Sequence, residues 1–390
     1  MMLGFLLARA GIDVIVLEKH ADFLRDFRGD TVHPSTLELM YELGFLQEFL
    51  KRPHQKLPQL KAQVGDKELF VADFSSLPTH CHFIALMPQW EFLNFLAEQA
   101  QRYSAFHLRM EAEVTGLQQD GDRIAGVHVK TPDGELDVRA ELVVGADGRS
   151  SIVRDRSGLQ VDDLGAPMDV LWMQLTRRPS DPFVLLRFDR GKLLVMLDRG
   201  DYWQVGLVIR KGGASEIRQK GIEALHAGIT ELAPFLKDRV NELQSWDDHV
   251  RLLTVKVDRL REWWRPGLLC IGDAAHAMSP IAGVGINLAI QDAVAAANIL
   301  AGAFQQGTLT TNHLSALQQR RTLPVRLTQA MQVSIQNRVI APLLADSKPL
   351  KAPWFLPLLE PPTRPLRSRF LGIGFRAEHI RTPDVQGRLG

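Results

Sequence analysis

The run Gly267-Leu268-Leu269-Cys270-Ile271-Gly272-Asp273-Ala274-Ala275-His276-Ala277-Met278-Ser279-Pro280-Ile281-Ala282-Gly283-Val284-Gly285-Ile286-Asn287 decides how this chain is read. Residues 268–271 are apolar, bounded by glycines, and have the length of a buried strand, whereas residues 286–300 form an Ala-rich segment of helical length. The loop between them carries the chemistry. Asp273, at the carboxyl end of the predicted strand, can accept hydrogen bonds from a polyol, and the small Ala274 and Ala275 let a ligand approach the backbone. Gly272 precedes that carboxylate. Gly283 and Gly285 expose backbone N–H groups where the helix begins, so the positive end of its dipole faces whatever is bound. A Gly-Asp pair alone is as compatible with an ordinary strand-turn-helix unit and a capping Asp. The whole run points to a ligand with developing negative charge.

Working outward, residues 1–10 have helical composition, Gly11 ends them, and residues 12–17 are a β-rich strand closing on Glu18. This is the latter part of a βαβ unit. A dinucleotide-binding unit opens with a strand and a G-x-G-x-x-G turn and places an acid about 20 residues on for a ribose hydroxyl. Glu18 suits that acid, and the expectation is that the chain as given begins inside its own fingerprint. Residues 25–34 form a polar loop, and Ser35-Thr36-Leu37-Glu38 reads as a capping box opening a helix to Leu43. Gln89 starts another helix, with Phe92, Phe95, Leu96 and Ala100 at helical spacing. Residues 106–140 alternate as a β-meander. A buried strand at 142–145 then runs into a Gly-rich turn at Asp147-Gly148 and a helix start.

Between these two strand-turn-helix units the character changes. Residues 170–175, 183–188, 192–197 and 203–209 read as strands, with Gly-containing hairpin turns at Asp189-Arg190-Gly191 and Asp198-Arg199-Gly200. The resulting antiparallel sheet can offer an apolar, aromatic pocket face, for which Trp172, Met196 and Trp203 are candidates. Residues 217–236 look helical with a break near Pro234, 250–260 are β-rich and 314–339 are mostly helical. The last fifty residues are Pro- and Arg-rich and carry no readable pattern.

Composition narrows the classes. The 390 residues suffice for two domains, and 46 basic against 45 acidic side chains, a net charge of +1, give no reason to expect nucleic acid or an anionic membrane as partner. Two cysteines, Cys81 and Cys270, argue against a disulfide framework and suit a reducing cytoplasm. His80 and His82 flank Cys81, but no matching ligand pair lies nearby in the sequence, so no metal site is expected. No transmembrane segment is expected either.

The 267–287 run followed by Asp292 resembles the second flavin-binding motif of the FAD-dependent aromatic hydroxylases, the class A flavoprotein monooxygenases typified by para-hydroxybenzoate hydroxylase, with pattern G-D-A-A-H-x-x-x-P-x-x-G-x-G-x-N. Every element of the pattern is present. The resemblance implies that Asp273 holds the ribityl chain, that Pro280 lies beside the isoalloxazine, and that Gly283, Gly285 and Asn287 face the pyrimidine edge. It implies further FAD contacts from Arg28, in the Arg28-Gly29 loop, and from Gln89. Asp147, in the Asp-Gly motif, is implicated in both flavin and NAD(P)H binding, and Gly4 matches a fourth fingerprint glycine.

The implied fold is α/β, a dinucleotide-binding FAD domain with a parallel sheet interleaved with an antiparallel-sheet substrate domain. The expected boundaries are 1–55, 89–165 and 262–340 for FAD, 56–88 and 166–261 for substrate, and 341–390 as a C-terminal extension. The implied reaction uses NADH or NADPH and O2 to hydroxylate a phenolic or N-heteroaromatic small molecule through a flavin C4a-hydroperoxide, in a cytoplasmic monomer or homodimer. No residue is singled out as the base that ionises the substrate. The alternatives are a same-fold flavin reductase or halogenase, whose P-x-x-Y-x-W and W-x-W-x-I-P motifs are absent, and a truncated non-catalytic product with weak FAD binding.

Overall fold

The computed structural model describes residues 1–24, 31–65, 67–182, 185–345 and 356–386. Apolar residues at 2, 3, 5, 6 and 7 bury the helix Met2–Arg9 almost completely, and it packs on the long helix Gly285–Gln305. That long helix is buried along most of its length because Ala293, Ala295, Ala296 and Ala297 let neighbours approach closely. Its composition would also suit a bilayer span, but here it is the core of a folded domain. Around it lie two small sheets with parallel pairing. Val14–Leu17 runs parallel to Phe106–Arg109, and Val143–Gly145 parallel to Leu268–Cys270, which also carries the antiparallel Trp264–Arg265. Among the described residues, the second edges of Val14–Leu17 and Val143–Gly145 pair with no strand. Three antiparallel strands, Glu113–Asp120, Arg123–Thr131 and Gly134–Arg139, form the meander expected over 106–140, except that Phe106–Arg109 pairs with Val14–Leu17 instead.

The second body is a seven-stranded sheet. Its order is Arg251–Leu253, Met168–Thr176, Tyr202–Arg210, Lys192–Asp198, Leu186–Asp189, Gln59–Val64 and Lys67–Asp73. All neighbours are antiparallel except Leu186–Asp189 and Gln59–Val64. Residues far apart in the chain therefore share one sheet. One face packs on the helix Ile222–Leu232 through Leu225, Ile229 and Leu232, which fall on one helical stripe. The other face roofs a cleft.

One local expectation is corrected. Ser35 and Glu38 form no capping box: the helix begins at Pro34 with His33 as N-cap, Pro being preorganised for the first helical position, and the Glu38 carboxylate is taken instead by the His80 amide and ring. Part of the last fifty residues, whose sequence carries no readable pattern, is helical. The helix Leu356–Gly372 lies against Lys67–Asp73, and the following segment returns to the first helix, where the Val385 amide donates to the Arg9 carbonyl and Asp384 pairs with Arg9.

Candidate active site

Because Val143–Gly145 and Leu268–Cys270 run parallel and in register, with Gly145 opposite Cys270, the loops that follow them leave the sheet side by side. Ligands in such sheets bind outside the carboxyl ends of the strands. Asp147 and Asp273 meet there, but their tasks differ. The Asp147 carboxylate accepts the Ser151 hydroxyl and, at 3.2 Å, the Val153 amide, so it organises the start of the helix Ile152–Ser157. Asp273 sits in a single 3₁₀ turn, Gly272–Ala274, with 28% of its side chain exposed, and its Oδ2 accepts from Arg149 Nε at 3.1 Å.

Buried Arg154 joins the two loops. Its Nη2 donates to the Arg149 carbonyl at 2.6 Å, and its Nη1 donates to Asp258 Oδ1 at 3.3 Å, which also accepts the Ala277 amide. Burial pushes the Asp258 carboxyl up, although Arg154 pulls it back toward the ionised form.

The second half of the long loop is fixed from another direction. Gly283 adopts φ +62°, and a Cβ there would lie 2.2 Å from Thr31 Oγ1, so only glycine fits. Thr31 Oγ1 donates to the Gly283 carbonyl at 2.9 Å. The helix Gly285–Gln305 then starts in the cleft without a side-chain cap, and a Cβ on Gly285 would be 3.9 Å from Asp273 Oδ1. The positive end of the helix thus shares its space with that carboxylate.

The cleft has a volume of about 2770 Å³. It runs from Val14–Leu17, past Asp147 and Asp273, to the face of the seven-stranded sheet around Trp172 and Val195. Typical single-ligand pockets span roughly 300–1,000 Å³, so the space admits a dinucleotide and a second molecule together. The groups present suit a flavin dinucleotide. Asp273 is a half-open carboxylate for hydroxyls, the buried Arg149 Nη1 has no hydrogen-bond partner among the described residues, and the uncapped helix start suits an anionic ring edge.

A family model described as FAD binding domain matches residues 1–331. The chain belongs to that FAD-binding family. It is 32% identical over 340 residues to 6-methylpretetramide 4-monooxygenase of Streptomyces rimosus, covering 87% of this chain and 81% of that protein. A second relative, dialkyldecalin synthase of Streptomyces rugosporus, is 26% identical over 75% of this chain, which spans only 61% of that protein. Among solved structures, Pseudomonas aeruginosa PqsL in complex with 2-aminobenzoylacetate superposes with a TM-score of 0.73 at 22% identity, covering 88% of this chain and 95% of that one, and so shares the fold. The protein is an FAD-dependent oxidoreductase of the aromatic-monooxygenase type, with NADH or NADPH as co-substrate.

Of the residues named from the sequence, Glu18, Gln89, Asp147, Gly272, Asp273, Pro280, Gly283, Gly285 and Trp172 line the cleft. Arg28 lies outside the described residues. Three placements are corrected. The Asn287 side chain does not face the cleft: its Oδ1 accepts the His33 amide at 2.9 Å and the Thr36 hydroxyl at 2.8 Å, and its Nδ2 donates to the Thr31 carbonyl at 3.0 Å, so it clamps the 31–36 segment. Met196 and Trp203 are fully buried on the opposite face of the sheet, against the helix Ile222–Leu232. The alternation of strand side chains puts them there. Arg149 and the C-terminal helix residues Phe370 and Leu371, which also line the cleft, were missed. A basic residue directly after Asp147-Gly148 was the available signal for Arg149; the helix offered none.

Proposed function

We propose that this enzyme hydroxylates a phenolic or N-heteroaromatic compound, and that a fused-ring phenol is the best-fitting substrate class. The observation that carries the reading is the continuity of one cleft from the Asp273 carboxylate and its Arg149 partner to the apolar wall built from Trp172, Val195, Ile340 and Leu371. The likeness to 6-methylpretetramide 4-monooxygenase supports the fused-ring choice. In this reading residues 1–55, 89–165 and 262–340 hold FAD, residues 56–88 and 166–261 cover the substrate, and the C-terminal extension 341–390 adds Leu343, Phe370 and Leu371 to the cleft wall. The buried Cys81 and Cys270 thiols suit a cytoplasmic enzyme.

FAD, when bound, supplies the oxygen-activating redox chemistry. The chain supplies the rest. Asp273 would accept the ribityl hydroxyls, with Arg149 fixing the carboxylate's orientation, and Pro280, Gly283 and Gly285 would hold the flavin ring. Glu18 would take the adenosine ribose, Gln89 the flavin chain, and Asp147 would shape the turn toward the nicotinamide. The apolar wall excludes water from the reacting ring.

The test has two parts. Asp273→Ala should weaken FAD binding ten- to a hundredfold, about 1.5–3 kcal/mol, while circular dichroism stays native. Unchanged flavin affinity would remove the ribityl assignment. A panel of polycyclic phenols and N-heteroaromatics under labelled oxygen should yield a product carrying one label, with NAD(P)H consumed. The likeness to dialkyldecalin synthase supports a second reading, a synthase, under which a compound is transformed with neither label uptake nor NAD(P)H consumption.

A further inference from the structure

Four ionisable side chains, Asp292, His276, Arg321 and Glu378, are at most 1% exposed and lie behind the Gly272–Ala274 turn, outside the cleft. Both Asp292 oxygens are in use. Oδ1 accepts Arg321 Nε at 2.8 Å, and Oδ2 accepts His276 Nε2 at 2.5 Å and the Gly272 amide at 3.1 Å. Burial alone would raise this carboxyl, but the charges and hydrogen bonds of His276 and Arg321 outweigh it and hold the group below its usual value. The far end of Arg321 reaches the C-terminal segment, where Nη1 donates to Glu378 Oε1 at 3.4 Å. Glu378 is gripped in turn by a bidentate Arg320, at 2.7–2.9 Å, and its amide donates to Gln291 on the long helix.

We infer that Glu378 is a positioning residue for the Gly272–Asp273 turn, acting through Arg321 and Asp292. Buried ion pairs are seldom retained for stability, since apolar side chains of the same volume serve as well. What this chain of contacts provides is geometry. A planar guanidinium between two carboxylates fixes where Asp292 can sit, and Asp292 holds the amide directly before Asp273. A residue more than a hundred positions away, Glu378, thereby sets the orientation of a cleft carboxylate it does not touch. The functional consequence rests on Asp273 being a flavin contact, whereas the positioning itself does not.

Amide hydrogen exchange on the full chain, without added flavin, tests it. Glu378→Gln should speed exchange in the 271–277 segment about tenfold, as expected when a charge-assisted bond supporting it is weakened. Arg321→Lys should do the same, because an ammonium keeps the charge but cannot bridge both carboxylates. Asp384→Asn, which loosens the other end of the C-terminal segment at Arg9 and Tyr103, should leave 271–277 unchanged. If Glu378→Gln does not fold, Arg320→Ala removes only the partly exposed partner and should raise exchange there about threefold. The proposal is overturned if 271–277 keeps its parent exchange rates in folded Glu378→Gln or Arg320→Ala, if Arg321→Lys leaves them unchanged, or if Asp384→Asn raises them equally. FAD titration then separates the two readings: faster exchange with unchanged FAD affinity supports the positioning and removes the ribityl role of Asp273.

Discussion

The two faces of the seven-stranded sheet carry similar residues and end up with different tasks. Trp172 and Trp203 lie on neighbouring strands, Trp172 opposite Gly206 and Trp203 opposite Leu175. On the outer face Trp203 is completed from within the chain. Trp203 is fully buried, touches Phe235, and donates from Nε1 to Asp181 at 2.8 Å, while Arg239 grips the same carboxylate at 2.6 and 2.9 Å. On the cleft face the Trp172 ring lies over Gly206, where a Cβ would come within 2.8 Å of it, and its Nε1 has no hydrogen-bond partner among the described residues. A face that closes on its own helix is a core; a face left facing a cleft is a binding wall. Residue type does not distinguish them.

The largest effect should come from the outer face. Trp203→Ala should cost about 3–5 kcal/mol in denaturant unfolding, through a cavity and the loss of a hydrogen bond to a buried carboxylate. An equal loss from Trp172→Phe would break the contrast between the two faces.

The next effect is pH-dependent. Burial opposes ionisation of Asp181, but Arg239, the Arg178 amide and Trp203 hold its carboxyl at about 2. A depressed folded value means the stabilisation is fully present above the ordinary carboxylate range near 3.8 and is lost as pH falls through about 2. It is on the order of 2 kcal/mol. Urea titrations of the parent protein and Asp181→Asn between pH 5 and pH 2 should converge at the acid end. Parallel curves would show that the outer-face ion pair contributes nothing.

The smallest stability effect and the clearest functional one belong to the cleft face. Trp172→Phe should change stability by less than about 1.5 kcal/mol, yet lower kcat/KM for an accepted aromatic substrate by roughly three- to tenfold. If kcat/KM stays constant while Trp203→Phe lowers it, the assignment of the faces to their tasks is reversed.

Legibility in the sequence followed the same division. The strand, loop and helix of 267–300 and the turn at Asp147-Gly148 were readable because each is a local pattern: a short apolar run, then small and acidic residues, then a helix start. The strands carrying Trp172, Met196 and Trp203 were readable too, since alternation and Gly-containing turns mark them. Asn287 shows the limit. Its place in the motif is a matter of sequence, but whether its amide meets a ligand or ties down Thr31, His33 and Thr36 depends on a segment some 250 residues away.

By itself, then, the sequence determined the family, the cofactor and the local elements, including the loop on which Asp273 stands, because those rest on contacts between near neighbours in the chain. The tertiary structure decided which side of the central sheet is wall and which is core, which motif residues face the cleft, and that the Pro- and Arg-rich final segment helps to build it. The physical reason is that a strand's alternation specifies two faces without saying what will cover either. That choice falls to whichever helix packs there, and here the helix Ile222–Leu232 covers the face of Met196 and Trp203 and leaves the face of Trp172 to the cleft.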